Sequence, residues 1–196
     1  MSKLPSFDPQ QVPVFQVDTH LEAVPARHLT PAALQARFAN PPAWQPELVR
    51  ERKFMDRAPA QAAVLIGVVM RDEPTVLLTQ RPSHMSTHAG QIAFAGGKCD
   101  ETDADVAATA LREAHEEVGL EAQHVQVLGT LPEYVTGSAF YVTPVVALIS
   151  PAMTLQLNTH EVADALKQVF PDRAATLERL PQAEPETERT LTMSGV

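Results

Sequence analysis

The chain has 196 residues, 44% of them apolar, which suits one domain with a sizeable core and some peripheral sequence. A formal charge of −9 speaks against a nucleic-acid binder, which needs a basic face, although bound cations let an acidic protein receive an anionic substrate. Cys99 is the single cysteine, so no intramolecular disulfide forms and a reducing, cytoplasmic setting is expected. The first residues carry no apolar core of signal-peptide length, and Ala62 to Met70, the longest apolar run, falls far short of the ~20 residues of a membrane-spanning helix.

Residues 1–55 read as a proline-rich arm with one short helix, in which Thr30 caps, Pro31 takes the first helical position and Ala32 to Ala39 follow. Pro41-Pro42 ends it. Residues 56–170 read as the domain. Gln61 to Met70 is continuously apolar and β-branched, as a strand buried on both faces would be. Arg71 to Pro74 make a turn and Thr75 to Thr79 the returning strand. A polar loop, 82–90, precedes a short strand from Gln91 to Ala95, with Ile92 and Phe94 on one side, ending at Gly96-Gly97.

The clearest helix follows, with Asp103 as its expected N-cap and Val106, Ala107, Ala110, Leu111 and Ala114 at helical spacing. Gly119 is placed to end it. Two apolar stretches, Val125 to Leu131 and Phe140 to Ile149, lead to a final predicted helix from Thr159 to Phe170. Residues 171–196 form a polar tail expected to be poorly ordered. Strands interrupted by a central helix and a late one indicate an α/β domain with a mixed sheet.

On the central helix Glu113, Glu116 and Glu117 stand at i, i+3 and i+4, so the three carboxylates are expected on one side, opposite the Val106/Ala110/Leu111/Ala114 stripe. Like charges at that spacing cost roughly 0.2–0.5 kcal/mol, and acids are disfavoured at this end of a helix dipole. Divalent cations such as Mg²⁺ would account for the cluster, because they take carboxylate oxygens together with water and substrate phosphates. A solvated face is the plainer account of three glutamates near a helix end. Gly96-Gly97 lets backbone approach a ligand or cation closely, although a double glycine at a strand end is also an ordinary turn.

Residues 97–120 resemble the Nudix box: Arg112-Glu113-Ala114-His115-Glu116-Glu117-Val118-Gly119-Leu120 fills its second half, and Asp103 stands at the acidic loop position. The first half carries one extra residue between Gly97 and Arg112. With Leu77-Leu78-Thr79-Gln80-Arg81, Gly90 and Phe94-Ala95-Gly96-Gly97-Lys98-Cys99-Asp100, the chain resembles the coenzyme A pyrophosphatase branch, departing from it at Pro82, Ser86 and Ala95. Leu131 to Gly137 and Val142 to Val146 are similar to that branch as well.

The resemblance implies a Nudix α/β/α sandwich, with a mixed sheet between helices and the box forming a loop–helix–loop. It implies Mg²⁺ or Mn²⁺ held by Glu113, Glu117, Glu116 and the Gly97 carbonyl, with Arg112 orienting the glutamates and Glu116 as candidate general base beside Glu117. Arg81, Lys98, Phe94 and Tyr134 are the implied substrate contacts, the substrate being coenzyme A or an acyl-CoA cleaved at its pyrophosphate. Another nucleoside diphosphate derivative, or a nucleotide-binding domain of weak activity, are the alternatives. No nucleic-acid or membrane partner is expected, and a homodimer is compatible with the resemblance. In such relatives an apolar strand, a loop and a late helix usually follow Glu161-Val162-Ala163-Asp164. The different sequence here, from Ala165 on, suggests a truncated or replaced C-terminal end.

Overall fold

The computed structural model describes residues 24–43, 45–46, 50–51, 58–85, 89–169 and 177–179, and of 166–169 and 177–179 the backbone only. The apolar run Ala60–Val69 becomes strand β1, the axis of a mixed sheet. It pairs in parallel along its whole length with β7 (Phe140–Ile149). Its other side is shared: β4 (Ala95–Lys98) pairs antiparallel with Ala62 to Leu65, and β2 (Thr75–Gln80) with Val68 and Val69. Strands β5 (Val125–Thr130) and β6 (Tyr134–Val135) pair with β7, whereas β3 (Ile92–Ala93) and β8 (Asp164–Val169) pair with β2, and β9 (Leu177–Arg179) with β8.

Alternation along the strands separates the two faces. Ala63, Leu65, Val69, Ala95, Val145, Ala147 and Ile149 form one buried face, covered by helix α2 (Val106–Val118) through Ala110, Ala114 and Val118. Two alanines with no exposed surface at the contact let the helix lie close to the sheet, which brings the side chains of its next turn against β4. The opposite face is covered differently. Helix α1 (Pro31–Ala39) lies there, since Gln35 Nε2 donates to Gln126 Oε1 at 3.0 Å and Phe38 packs over Gly129, whose pairing partner Val146 points away from α2. The result is helix, mixed sheet, helix: the expected α/β/α sandwich.

Helix α1 begins as expected, with Thr30 accepting from the Ala33 N–H and Pro31 in the first turn. Four other expectations are corrected. The N-cap of α2 is Asp105, accepting from the Ala108 N–H at 2.8 Å, because Asp103 is engaged elsewhere. Gly96-Gly97 do not end a strand but lie within β4, while Gln91 to Ala95 yields only the two-residue β3 before the chain reaches β4. Val64, Ile66 and Val68 are half-buried, so β1 is fully buried on one face alone.

The fourth correction concerns the predicted helix from Thr159 to Phe170. Asn158 instead closes a turn, its carbonyl accepting from Glu161 and Val162 and its Oδ1 from the His160 N–H, and the chain then enters β8 alongside β2. Ala-Leu-Lys-Gln favours a helix locally, but an open row of β2 backbone groups overrides weak propensity. Phe170 and most of the tail lie outside the described residues, as does Ser86; within the tail, 177–179 add β9.

Gly119 ends α2 as expected, at φ 68°, with its N–H returning to Ala114 and His115. A Cβ there would stand 2.9 Å from the Gln156 backbone. Gly119→Ala is therefore expected to cost about 1–2 kcal/mol or more, read from urea unfolding.

Candidate functional site

The loop before α2 is built from its own carboxylates. Asp100 Oδ1 accepts from the Thr102 N–H at 2.9 Å and from Thr102 Oγ1 at 2.8 Å. Asp103 Oδ2 accepts from the Asp100 N–H at 2.9 Å and Thr109 Oγ1 at 2.8 Å. Arg112 locks this loop to the helix. Its Nε and Nη2 fork onto the two oxygens of Asp103, each at 3.0 Å, and Nη2 also reaches the Lys98 carbonyl at 3.1 Å. Nη1 donates to Glu113 Oε1 at 2.9 Å and Glu116 Oε2 at 3.1 Å. Such bidentate, charge-assisted bonds are among the stronger polar contacts a protein makes. Arg112 and then the Asp100 N–H hold the Asp103 carboxyl well below the usual carboxylate range.

Glu113 and Glu117 lie within the buried side of α2 rather than opposite its apolar stripe. At about 100° per residue, position 117 falls between Val106 and Ala110, which the sequence reading overlooked. The Glu113 carboxylate sits against Gly97, where a Cβ would be 2.5 Å from Oε1 and Oε2. Glu117 is 8% exposed and its Oε2 has no hydrogen-bond partner among the described residues. Burial raises Glu113, opposed by the bond from Arg112. Burial, then Glu113 and Glu161, push Glu117 up to about 7, against the opposing pull of Arg81 and the Gly96 N–H.

Two loops frame the pair, both hung on Gln80. The Gln80 carbonyl accepts from the Ala163 N–H at 2.7 Å, and its Nε2 donates to the Gly90 carbonyl at 3.3 Å. One loop carries Arg81, whose Nε is buried without a partner among the described residues. The other carries Glu161 and is pinned to the end of α2, with the Asn158 N–H on the Glu117 carbonyl and the Gln156 N–H on that of Val118.

The structure thus brings together Glu113, Glu117, Gly97, Arg112 and Arg81. Glu116 is exposed and bonded to Arg112. Lys98 is exposed and in register with Ala62, so its side chain lies on the sheet face away from α2. Phe94 is half-buried against Val76 and Leu78 on that same face. Tyr134 shares it too, through Val142, and its hydroxyl donates to Glu51 Oε1 at 3.0 Å. A substrate touching both groups must cross β4, which has no second strand beside it among the described residues.

Sequence reasoning missed Glu161. Its segment, His160-Glu161-Val162-Ala163-Asp164, reads in sequence as part of the helix expected from Thr159. Nothing in the sequence alone shows that this turn returns to the end of α2.

Two features fit a divalent cation: a buried carboxylate oxygen with no partner among the described residues, and a glycine that leaves room for the neighbouring carboxylate. Among the described residues no three His, Cys, Asp or Glu side chains close into a cage. Mg²⁺ needs none, as it binds through one or two carboxylates, waters and substrate phosphates. No helix among the described residues is long and apolar enough to cross a membrane.

A family model described as the NUDIX domain matches residues 60–191, and the chain belongs to that family. It is 50% identical over 103 residues to an uncharacterized Nudix hydrolase NudL of Enterobacter sp. (strain 638), covering 53% of this chain and 54% of that one. The NudL of Salmonella paratyphi B is 52% identical over 103 residues, with the same coverage. The chain thus matches about half the length of these curated relatives. Among solved structures it is similar to a Nudix hydrolase of M. smegmatis, RenU, at TM-score 0.46 and 24% identity, covering 56% of this chain and 70% of that one. A C. elegans Ap4A hydrolase has TM-score 0.45 and 22% identity, over 54% and 77% of the two chains.

Glu117 has a pH consequence for the metal-free protein. Its folded pKa, about 7, lies above the ordinary 4.5, so the folded state holds the proton more tightly. The resulting stability is full below pH 4.5 and lost as pH rises through about 7. Asp100 and Asp103, held low, add no slope in this window. Urea unfolding in chelator at pH 5 and pH 8 is expected to show that loss in wild type and a flatter dependence in Glu117→Gln. Gly97→Ala is expected to leave the helix content unchanged while displacing Glu113. Stabilisation by Mn²⁺, followed as a thermal shift, should then need roughly 10- to 100-fold more cation.

Proposed function

We propose that the chain is a divalent-cation-dependent pyrophosphohydrolase and that its substrate is coenzyme A or an acyl-CoA. The observation that carries the hydrolase reading is the buried Glu117, one oxygen of which has no partner among the described residues, on the same helix as Glu113, whose carboxylate lies against Gly97. The Nudix hydrolase name of the 50–52% identical relatives supports it. The coenzyme A assignment rests on the Leu77–Arg81 and Phe94–Asp100 signature at its spacing from the box.

Glu113 and Glu117 would hold Mg²⁺ or Mn²⁺, with the Gly97 carbonyl and Glu116 as further donors. Such an ion, when bound, supplies charge to offset the pyrophosphate and lower the barrier to attack by water. Arg112 keeps the glutamates and the Asp103 loop in register. Arg81, a cation near enough to Glu117 to oppose the rise of its carboxyl, is the residue to meet a phosphate. Water adds to one phosphorus, the bridging oxygen leaves with the other, and the products are adenosine 3′,5′-bisphosphate and 4′-phosphopantetheine or its acyl form. Glu116 in the box and Glu161 outside it are the two acids to test as acceptors of the water proton. Lys98 and Phe94 contact the substrate on the far face, with the ring of Tyr134 beside them. A cytoplasmic setting suits the single Cys99, and a homodimer is the assembly to test.

The deciding experiment is product analysis after incubation with coenzyme A and Mg²⁺ or Mn²⁺. The expected result is cation-dependent release of adenosine 3′,5′-bisphosphate, reduced at least about 10²-fold in Glu117→Gln. Cleavage of NADH, ADP-ribose or a nucleoside triphosphate, but not coenzyme A, discards the substrate and keeps the chemistry. Inactivity of folded protein on all of them overturns the reading in favour of a binding domain.

A further inference from the structure

A second polar knot lies across the sheet from the glutamates. Ahead of the region matched by the family model, Arg50 forms a parallel bridge with Val135, and the Glu51 N–H donates to the Val135 carbonyl at 2.8 Å. The Glu51 carboxylate then accepts twice from the hairpin between β6 and β7: from Tyr134 Oη at 3.0 Å and from the Gly137 N–H at 2.7 Å.

Short-range bonds also hold that hairpin. Thr136 Oγ1 and Ser138 Oγ are 2.9 Å apart, and the Phe140 N–H donates to Thr136 Oγ1 at 3.0 Å. Ala139 takes a left-handed conformation, φ 62°, which a non-glycine residue adopts at a cost. Ala139 is nonetheless buried, and its carbonyl starts β1 by accepting from the Ala60 N–H at 3.1 Å. A strained turn of this kind persists where its surroundings over-determine it.

Register says what the turn is near. Lys98, Ala62, Val142 and Tyr134 occupy one row across four strands and share a face. At ~4.8 Å per strand the row spans about 14 Å, starting beside Gly97. We propose that Glu51 is a positioning residue for substrate binding. It fixes Tyr134 and the 136–139 turn at the far end of the lysine-bearing row, and so shapes the surface that receives the non-reacting arm of the substrate. This rests on the pyrophosphohydrolase reading.

The test compares wild type with Glu51→Ala, Glu51→Gln and Tyr134→Phe on coenzyme A, NADH and ADP-ribose with Mn²⁺. On a substrate that is turned over, Glu51→Ala raises KM about tenfold, the effect of a lost hydrogen bond to a charged group, and lowers kcat by less than KM rises. Glu51→Gln, which keeps one acceptor oxygen, falls between it and wild type. Exchange of the Gly137 amide also accelerates in folded Glu51→Ala. Unchanged KM, or a loss confined to kcat and the unfolding midpoint, overturns the inference and leaves Glu51 a structural clamp. If wild type turns over none of the probes, the hydrolase reading fails separately. The comparison then moves to equilibrium binding of ADP-ribose, where affinity equal in wild type and Glu51→Ala, or absent from both, overturns the inference.

Discussion

One guanidinium holds the box together. Arg112 binds the loop through Asp103 and the Lys98 carbonyl, and the helix through Glu113 and Glu116, so the geometry of the acidic residues follows from a single planar fork. A lysine would supply the charge without the fork's fixed geometry. The fork also has an electrostatic side. It satisfies Asp103, Glu113 and Glu116 but does not reach Glu117, which is left buried beside Glu113 and Glu161 with its carboxyl raised. The helix therefore concentrates its unmet demand for positive charge at one residue.

Close packing sets where that demand is felt. Ala110 and Ala114 carry no exposed surface and hold α2 close to β1 and β4, and Gly97 leaves space for the Glu113 carboxylate. Larger side chains at the alanines would raise the helix off the sheet, and any side chain at Gly97 would push Glu113 aside. The site thus depends on what these positions lack as much as on the acids.

Much of this was legible in the sequence because it is local. Thr30 and Pro31 announce α1, Gly119 ends α2, and Arg112 to Glu117 are neighbours on one helix. The departures come from longer-range contacts. Asp103 is a natural cap, but Arg112 and Thr109 claim its oxygens and Asp105 takes the role. The segment from Asp164 has helical propensity, but β2 offers a row of backbone partners that no local rule anticipates. Glu161 reaches the site only because the turn at Asn158 folds back onto the end of α2. The Glu51 contacts, more than eighty residues from Tyr134 in sequence, had no local signal at all.

Gln80 has a further consequence. Its main chain carries the loop of Glu161 and its side chain the loop of Arg81, so a cation and an anion that bear on Glu117 share one hinge. One residue at the end of β2 thus anchors both of the segments whose opposite charges meet at the buried carboxylate.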